Sequence, residues 1–328
     1  MTAVRIATRG SKLALWQAEH IKSELCAREP GLVVELVVIK TTGDRVLDRS
    51  LSAIGGKGLF TKEVEEALLD GRADLAVHSL KDVPTEETSG LVLAAFPPRE
   101  QPWDALLYRP ELGLAGAAGT LITGAAVLAQ LPSGARLGTS SLRRACQLLA
   151  LRPDLQIVPL RGNVDTRLRK LYDGELDAAV LAAAGLTRLG LGAHIKAVFS
   201  PSELLPACGQ GALAVQCRSQ DEATRGRLAR LDDAATRQAV RAERTLNHRL
   251  GGSCQTPIAA HAQLVQADPA SAGTQLLLTA MVGSLDGKTV LRASSTGNAD
   301  DPDALAETVA QALLQQGAQA LLRSDAAR

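Results

Sequence analysis

The chain has 328 residues, a length typical of two or three domains. Hydrophobic residues make up 46% and charged residues 22%, as in ordinary globular proteins. Aromatic residues make up only 2%, which argues against a protein that stacks single-stranded nucleic acid on aromatic rings. The net charge of +1, from 36 basic and 35 acidic residues, provides no overall field to attract DNA or a membrane. Any anion-binding site must therefore be local.

Nothing in the sequence indicates export, membrane insertion or a metal centre. The first residues run directly into a predicted strand without a signal peptide, and no apolar run is long enough to span a bilayer. The five cysteines include no CxxC pair, which favours a reducing compartment and argues against zinc. We therefore expect a cytoplasmic protein without a bound metal and without nucleic-acid or membrane partners.

Strands and helices alternate through most of the chain, which predicts an α/β fold with mostly parallel sheets. Strands are predicted at 4–8, 33–39, 74–78 and 91–96, with helices at 13–25 and 61–69. After Pro97-Pro98 the pattern resumes, with strands at 103–108, 136–139, 156–160 and 178–182 and helices at 142–151, 164–172 and 183–189. Residues 111–129 are rich in alanine and glycine and predict a loop or a marginal helix.

The last third of the sequence has a different pattern. An apolar strand is predicted at 209–215, followed by charged helical sequence at 223–250. Strands at 258–265, 275–282 and 289–294, the last two joined by an Asp286-Gly287 turn, precede a helix at 303–322. This part predicts a small α+β domain with an antiparallel sheet.

Arginine-bearing turns follow three predicted strands, each directly before a helix. They are Thr8-Arg9-Gly10-Ser11, Gly138-Thr139-Ser140-Ser141-Leu142-Arg143-Arg144, and Leu160-Arg161-Gly162-Asn163 with Arg167 one turn later. Helix N-termini, hydroxyls and guanidiniums bind anions, and open α/β sheets bind ligands beyond the carboxyl ends of their strands. An N-cap with a surface arginine explains any single turn. Three together predict a site for a molecule with several carboxylates.

Nucleotide motifs are absent, and the candidate catalytic groups follow another strand. Gly55-Gly56-Lys57-Gly58 lacks the Ser or Thr of a P-loop, and no GxGxxG follows the first strand. His78, at a strand end, is either catalytic or, more commonly, a hydrogen-bonded core histidine. Asp82 follows Lys81 in the next turn, where it either stabilises a developing cation or caps the turn.

Cys254 has a setting unlike that of the other cysteines. It follows the Gly251-Gly252 pair that ends a helix, and Pro257 prevents a return to helix, so the thiol is presented on a loop. The segment predicts a covalent anchor, with a structural cysteine as the alternative. The other four cysteines are expected in the core, namely Cys26, Cys146, Cys208 and Cys217.

These motifs resemble the porphobilinogen deaminase family, also called the hydroxymethylbilane synthases, nearly end to end. The matching segments lie at 5–9, 13–18, 55–60, 76–84, 138–144, 160–164, 204–206, 209–212 and 243–257. Residues 112–129 form a longer stretch than the family pattern and are expected to be a surface insertion that leaves activity intact.

The resemblance implies two periplasmic-binding-protein-like α/β domains and a C-terminal α+β domain with a three-stranded antiparallel sheet. The expected domains are 1–98 with 210–230, then 99–209, then 231–328. The strand at 209–215 is thus expected to return to the first domain. Members of the family are mostly monomeric, so we expect a monomer.

The resemblance also implies a transferase that adds four porphobilinogen molecules head to tail, releases ammonia each time, and hydrolytically frees linear hydroxymethylbilane. Its dipyrromethane cofactor is attached by a thioether to the residue matching Cys254, and its catalytic aspartate matches Asp82. The implied cofactor contacts are Cys254, Lys81, Asp82, Thr139, Ser141, Arg143, Arg144, Arg161 and Gly162. The implied substrate contacts are Arg9, Ser11, Lys57, Arg161, Arg167 and Arg188.

Two other classes of protein share part of this pattern. A solute-binding or ligand-sensing protein has a similar two-lobed architecture, but it would leave Cys254 unmodified. A thiol hydrolase would need a histidine paired with Cys254, for which His248 on the preceding helix is the near candidate.

Overall fold

The computed structural model describes residues 3–41, 58, 61–114, 123–253, 256–266 and 274–326. The chain forms two compact units, Met1–Glu100 with Gly211–Arg237, and Gln101–Gln210 with Gln238–Arg328. No helix in this described part is long and apolar enough to cross a bilayer. The three domain boundaries expected from the sequence are a finer division than these two units, and they stay a prediction.

The first unit is built on a five-stranded sheet. Its strands are β1 (Val4–Arg9), β2 (Val34–Ile39), β3 (Leu75–Ser79), β4 (Leu91–Ala95) and β10 (Leu213–Arg218), in the order β2-β1-β3-β10-β4. Its helices are α1 (Lys12–Arg28), α2 (Lys62–Leu69) and α7 (Glu222–Leu228). β1 is parallel to β2 and β3, whereas β10 is antiparallel to β3 and β4. The strand predicted at 209–215 therefore returns to the first sheet.

Alternate residues of β1 pack on opposite faces of this sheet. Ile6 lies in a buried cluster with Ile21 and Leu25 of α1, whereas Ala7 lies in another with Leu68 of α2. Because neighbouring side chains of a strand point to opposite faces, helices on both faces bury the whole strand. This is why the parallel strands are nearly continuous apolar runs in the sequence.

The second unit contains a second five-stranded sheet with the same pattern. Its strands are β5 (Asp104–Tyr108), β6 (Arg136–Gly138), β7 (Gln156–Val158), β8 (Ala178–Ala182) and β9 (Ala197–Phe199), in the order β7-β6-β8-β5-β9. Its helices are α3 (Gly124–Gln130), α4 (Leu142–Leu151), α5 (Val164–Tyr172) and α6 (Ala183–Arg188). β6 is parallel to β7 and β8, and β5 is antiparallel to β8 and β9. In each sheet, the antiparallel strand lies second from one edge.

A three-stranded antiparallel sheet completes the second unit. It consists of β11 (Ile258–Val265), β12 (Gln275–Gly283) and β13 (Val290–Asn298) in that order, with helices α8 (Ala234–Arg249), α9 (Pro302–Gln315) and α10 (Ala318–Ala326). Leu246 of α8, Leu278 of β12 and Leu313 of α9 share its buried core. Two α/β sheets followed by this three-stranded antiparallel sheet with its helices confirm the predicted α/β fold class with a C-terminal α+β part.

Several elements differ from the sequence prediction. The three-residue β9 is not predicted, because three residues carry too little periodicity. The charged region at 223–250 is divided by a 3₁₀ turn at Ala229–Leu231 into α7 and α8. The single helix predicted at 303–322 is divided because Gly317 has φ +99°, the left-handed conformation that ends helices. Within 111–129, α3 is present from Gly124, and 115–122 lie outside the described residues.

Candidate functional site

A cavity in the first unit lies where β1 and β3 end. These strands are parallel, so their carboxyl ends, Arg9 and Ser79, reach the same edge of the sheet. The polar side chains lining the cavity are Arg9, Ser11, Gln17, Thr61, His78, Ser79 and Asp82. Three residues expected from the sequence, Arg9, Ser11 and Asp82, thus meet at one cavity.

Ser11 starts α1, two residues after Arg9 ends β1. Its backbone is extended, and its Oγ accepts a hydrogen bond from the Ala14 N–H at 3.3 Å. This is the N-cap geometry indicated by the first arginine turn. Arg9 is therefore held beside a helix N-terminus, where the positive end of the helix dipole also favours an anion.

Ser79 and Gln17 are cavity residues that the sequence analysis does not single out. The buried Gln17 side chain donates from Nε2 to Ser79 Oγ at 2.7 Å. Because Ser79 accepts this bond, its hydroxyl proton remains available for a further acceptor. The sequence feature that could have indicated Ser79 as a site residue is its position at a strand end, two residues before Lys81. Gln17 had no local signal, since it lies within a helix.

His78 is held in a buried hydrogen-bonded chain. Its Nε2 lies 2.9 Å from Gln216 Oε1, and Gln216 Nε2 donates to Glu65 Oε1 at 3.0 Å. Thr88 donates to the other oxygen of Glu65 at 2.8 Å. Since Glu65 accepts both bonds, the Gln216 oxygen faces His78 and accepts its Nε2–H. Burial lowers the pKa of His78, so the ring is neutral near pH 7, as a core histidine is.

Asp82 is exposed at the end of a 3₁₀ turn, Leu80–Asp82. The turn is fixed by hydrogen bonds from the Val83 N–H to the Leu80 carbonyl at 3.0 Å and from the Leu80 N–H to the Ala212 carbonyl at 3.1 Å. The Leu80 side chain is buried. A rigid turn therefore carries an exposed carboxylate at the cavity, with Lys81 as its neighbour.

Side-chain caps start two helices at the carboxyl edge of the second unit's sheet. Ser141 Oγ accepts from the Arg144 N–H at 3.4 Å at the start of α4. Asn163 Oδ1 accepts from the Thr166 N–H at 2.9 Å at the start of α5. Both caps agree with the second and third arginine turns read from the sequence.

Hydrogen bonds join the loops that follow β6 and β7. Thr139 donates from its backbone N–H to the Val158 carbonyl at 3.0 Å, and its Oγ1 accepts from the Ser141 N–H at 3.2 Å. Ser140 Oγ donates to the Leu160 carbonyl at 3.1 Å. Thr139 and Ser141, which are both predicted to contact the cofactor, therefore lie in a pair of loops that hydrogen bonds hold together.

Arg143 and Arg144 are buried, and both bind one carboxylate. Their guanidiniums lie 2.8 Å and 2.6 Å from the oxygens of Asp104, which has no exposed surface. Gln210 donates to the same carboxylate at 3.0 Å. Burial alone would raise the pKa of Asp104, but the two arginine charges outweigh it and hold that pKa well below its usual range. The interpretation of this turn as an N-cap with surface arginines is therefore wrong. That Arg143 and Arg144 contact the cofactor stays a prediction.

This buried cluster keeps an excess of positive charge. Two guanidiniums face the single carboxylate of Asp104, so one positive charge is not neutralised within the cluster. The buried Arg143 Nε has no hydrogen-bond acceptor among the described residues. An unsatisfied buried donor costs about 1–3 kcal/mol, so an anionic group nearby would be stabilised.

The remaining predicted arginines follow the carboxyl ends of β7 and β8. Arg161 is half-buried after β7, and Arg188 is half-buried at the end of α6, which follows β8 directly. Arg167 Nε donates to the Gly162 carbonyl at 2.8 Å. Gly162 has φ +100°, and a Cβ there would lie 2.8 Å from the Thr166 side chain, so only glycine fits this position.

Lys57 and Cys254 lie outside the described residues, but both flanks of Cys254 are described. Gly251 has φ +67°, and the Gly252 N–H bonds the Asn247 carbonyl at 2.8 Å, which ends α8 as the glycine pair predicts. Beyond the cysteine, Thr256 Oγ1 accepts from the Ser253 N–H at 2.8 Å and donates to the Ser253 carbonyl at 2.9 Å.

Glu243 anchors the helix that leads to Cys254. Its carboxylate is fully buried in α8 and accepts hydrogen bonds from the Gly209 N–H at 2.6 Å and the Ala262 N–H at 2.8 Å. His261 Nδ1 lies 3.6 Å from the same carboxylate. One buried side chain thus joins α8 to β11 and to the segment before β10. The sequence placed Glu243 in a motif without indicating this role.

The four other cysteines have the expected core positions. Cys146 and Cys217 are buried, and the half-buried Cys26 and Cys208 pack against hydrophobic clusters. Burial raises the pKa of Cys217 to about 11, so its thiol is unreactive at neutral pH. Within the described ranges, no cluster of three or more His, Cys, Asp or Glu side chains is placed to hold a metal ion.

Two protein-family models match the chain. The model "Porphobilinogen deaminase, dipyromethane cofactor binding domain" matches residues 4–226, and the model "Porphobilinogen deaminase, C-terminal domain" matches residues 237–315. The chain belongs to the porphobilinogen deaminase family. As a member it is a transferase of tetrapyrrole biosynthesis with a dipyrromethane cofactor, which confirms the family, activity and cofactor predicted from the sequence.

Curated relatives match over nearly the whole chain. A porphobilinogen deaminase from Roseiflexus sp. (strain RS-1) is 51% identical over 317 residues, covering 97% of each chain. Another, from Stenotrophomonas maltophilia (strain R551-3), is 52% identical over 322 residues, covering 98% of this chain and 99% of that one. Among solved structures, the BenM effector binding domain with its effector benzoate is 16% identical to this chain, with a TM-score of 0.41. The match covers 72% of this chain and 90% of that one.

The second unit's residues fit a dipyrromethane cofactor. Its pyrrole rings carry acetate and propionate groups, which are anions at neutral pH. The charge left over in the Asp104 cluster, the unsatisfied Arg143 Nε and the capped start of α4 at Ser141 all favour anions. These residues therefore have the chemistry to hold the cofactor's carboxylates.

Replacing Asp104 with asparagine should destabilise the second unit strongly. Asp104→Asn leaves two buried guanidiniums without a counter-charge, and breaking a buried pair in this way costs about 3–5 kcal/mol. Because the folded-state pKa is lowered, the stabilisation is complete above the ordinary value of 3.8 and is lost as the pH falls further. Denaturant unfolding should therefore show a large wild-type advantage at pH 7 that shrinks below about pH 4.

The matched control is Glu24→Gln, which breaks an exposed ion pair between Glu24 and Arg28 within α1. It should leave the unfolding midpoint nearly unchanged. An Asp104→Asn protein as stable as the control would show that the buried cluster does not stabilise the fold.

Gly162→Ala should destabilise the loop after β7 by about 1–3 kcal/mol, because it forces an alanine into a left-handed conformation against Thr166. Gly192→Ala is the control, since that position has no positive φ and no atom within 4 Å of the place that a Cβ would take. Thermal unfolding of both variants measures the difference. Equal melting temperatures would contradict the steric argument.

Proposed function

We propose that this chain makes linear hydroxymethylbilane from four porphobilinogen molecules with Asp82 as its catalytic residue and Cys254 as the thioether anchor of the cofactor. The observation that carries the proposal is the exposed Asp82 carboxylate, which a rigid turn holds at a cavity shared with Arg9 and Ser11. When bound, the dipyrromethane serves as the primer for elongation.

Asp82 acts on the developing positive charge. When the C–N bond of the protonated aminomethyl group breaks, ammonia leaves as a neutral molecule and the positive charge passes to the carbon skeleton. A preorganised carboxylate within reach stabilises that charge and accepts hydrogen bonds from pyrrole N–H groups. His78 does not compete for Asp82 as a cation, because burial lowers its pKa and keeps the ring neutral.

The proposed contacts of substrate and cofactor are the residues that match the family's motif positions. The cofactor contacts are Lys81, Asp82, Thr139, Ser141, Arg143, Arg144, Arg161 and Gly162, and the substrate contacts are Arg9, Ser11, Lys57, Arg161, Arg167 and Arg188. Their support is the matching motif positions together with the N-caps at Ser11 and Ser141. For Arg143 and Arg144, the leftover charge of the Asp104 cluster supports an electrostatic contribution to binding.

We further propose that the chain works as a cytoplasmic monomer of three domains, with the boundaries expected from the sequence. The rival thiol hydrolase has little support, because His248, its near candidate base, is an exposed residue at the end of α8.

Asp82→Asn should lower turnover of porphobilinogen by about 100-fold or more, because it removes the charge that stabilises the transition state while keeping the side chain's shape. Intact mass under denaturing conditions should show that the cofactor is still attached. Asp70→Asn, which changes an exposed carboxylate at the end of α2, is the matched control and should keep wild-type turnover. Residual Asp82→Asn turnover near the wild-type rate would remove Asp82 from the mechanism.

A further inference from the structure

Thr61 is a buried hydroxyl residue at the cavity of the first unit. It directly precedes α2 and lines the cavity with Arg9 and Ser79. Only 2% of its surface is exposed, yet its Oγ1 forms no hydrogen bond with any residue that the structure describes. A buried polar group without a partner is unfavourable, because it has lost its hydrogen bonds to water. In a binding cavity, a ligand can supply the missing partner.

The backbone conformation of Thr61 explains why its hydroxyl does not cap α2. Its φ of −111° and ψ of −29° are helical, so the hydroxyl makes no bond to the first turn of α2. Thr123, which precedes α3, has an extended backbone instead, and its Oγ1 accepts from the Ala126 N–H at 3.3 Å. The two threonines occupy equivalent positions, but only the Thr123 hydroxyl is used as a cap.

The cavity that Thr61 lines contains both a positive and a negative side chain. Arg9 supplies a guanidinium, and Ser79 has a proton to donate because its oxygen already accepts from Gln17. Asp82 supplies a negative charge at the same cavity. A ligand with an amine and carboxylates matches this division, with its amine toward Asp82 and a carboxylate toward Arg9, Ser79 and Thr61. Porphobilinogen is such a molecule, since it loses an amine and carries acetate and propionate groups.

We propose that Thr61 is a substrate-binding residue whose hydroxyl donates a hydrogen bond to a side-chain carboxylate of porphobilinogen. The inference rests on the proposed function and adds a contact to it. Thr61 orients the substrate so that its carboxylate lies on the Arg9 side and its leaving amine lies on the Asp82 side. No motif in the chain indicates this role, because threonine before a helix usually acts as a cap.

The test compares Thr61→Val, which keeps the shape and removes the hydroxyl, with Thr61→Ser, which keeps the hydroxyl. Both are assayed as holoenzymes. Thr61→Val should raise KM for porphobilinogen about tenfold, the effect of losing one hydrogen bond to a charged group, and should change kcat less than KM. Thr61→Ser should restore KM to within about twofold of the wild type.

Two readouts separate binding from a structural role. Because Thr61→Val replaces an unsatisfied hydroxyl with a methyl group of similar size, its melting temperature should stay equal or rise. Its intact mass should show the wild-type cofactor content. Thr123→Val is the matched control, since it removes a hydroxyl that does cap a helix, and it should lower the melting temperature without changing KM.

An unchanged KM for Thr61→Val, with an active wild type, would overturn this inference and leave the proposed function standing. A raised KM accompanied by a large fall in melting temperature would also overturn it, because the hydroxyl would then be structural. A wild-type protein that makes no tetrapyrrole from porphobilinogen would overturn the proposed function together with this inference.

Discussion

The buried carboxylate of Asp104 is the interaction on which the second unit depends. It binds Arg143 and Arg144, which lie 39 and 40 residues later in the chain, and Gln210, which lies 106 residues later. One side chain therefore fixes the start of α4 against β5 and against the segment that leaves the second sheet. A buried charge is tolerated only when it is paired and hydrogen-bonded, and here both conditions hold. The same cluster keeps one positive charge, which makes this edge of the sheet favourable for carboxylates.

The two α/β sheets have the same strand order, but they differ in whether the charged side chains at their carboxyl edges are buried or exposed. In the second unit, the two guanidiniums at the start of α4 are buried and share the single carboxylate of Asp104, so their charge is fixed in place. In the first unit, Asp82 is exposed on a rigid turn, and the nearby His78 is kept neutral by burial. Fixed charge suits the holding of a bound group, and an exposed carboxylate suits contact with a reacting one. This difference supports the proposed catalytic role of Asp82 and the proposed electrostatic contribution of Arg143 and Arg144 to cofactor binding.

Much of the fold follows from local sequence, because apolar periodicity and helix caps are short-range signals. The strand ends, the caps at Ser11, Ser141 and Asn163, and the end of α8 at Gly251 are all readable from a few neighbouring residues. The return of β10 to the first sheet was expected only through the family resemblance, since strand pairing across more than 100 residues leaves no local trace.

The features that the sequence could not predict depend on contacts between residues that lie far apart in the chain. The burial of Arg143 and Arg144 is decided by Asp104, and Ser79 is oriented by Gln17, 62 residues away. The unsatisfied hydroxyl of Thr61 is visible only from the backbone angles and the cavity. Conversely, Cys254 and Lys57 were assigned from motifs alone, and they lie outside the described residues.

The intact mass of the purified protein under denaturing conditions is the most direct test of whether the chain carries a dipyrromethane on Cys254. We expect an excess mass equal to one dipyrromethane, located on the peptide that contains Cys254 and absent from Cys254→Ala. A preparation lacking the cofactor should gain the same mass when it is incubated with porphobilinogen. A wild-type chain that stays unmodified after that incubation, or an adduct that persists in Cys254→Ala, would contradict the account.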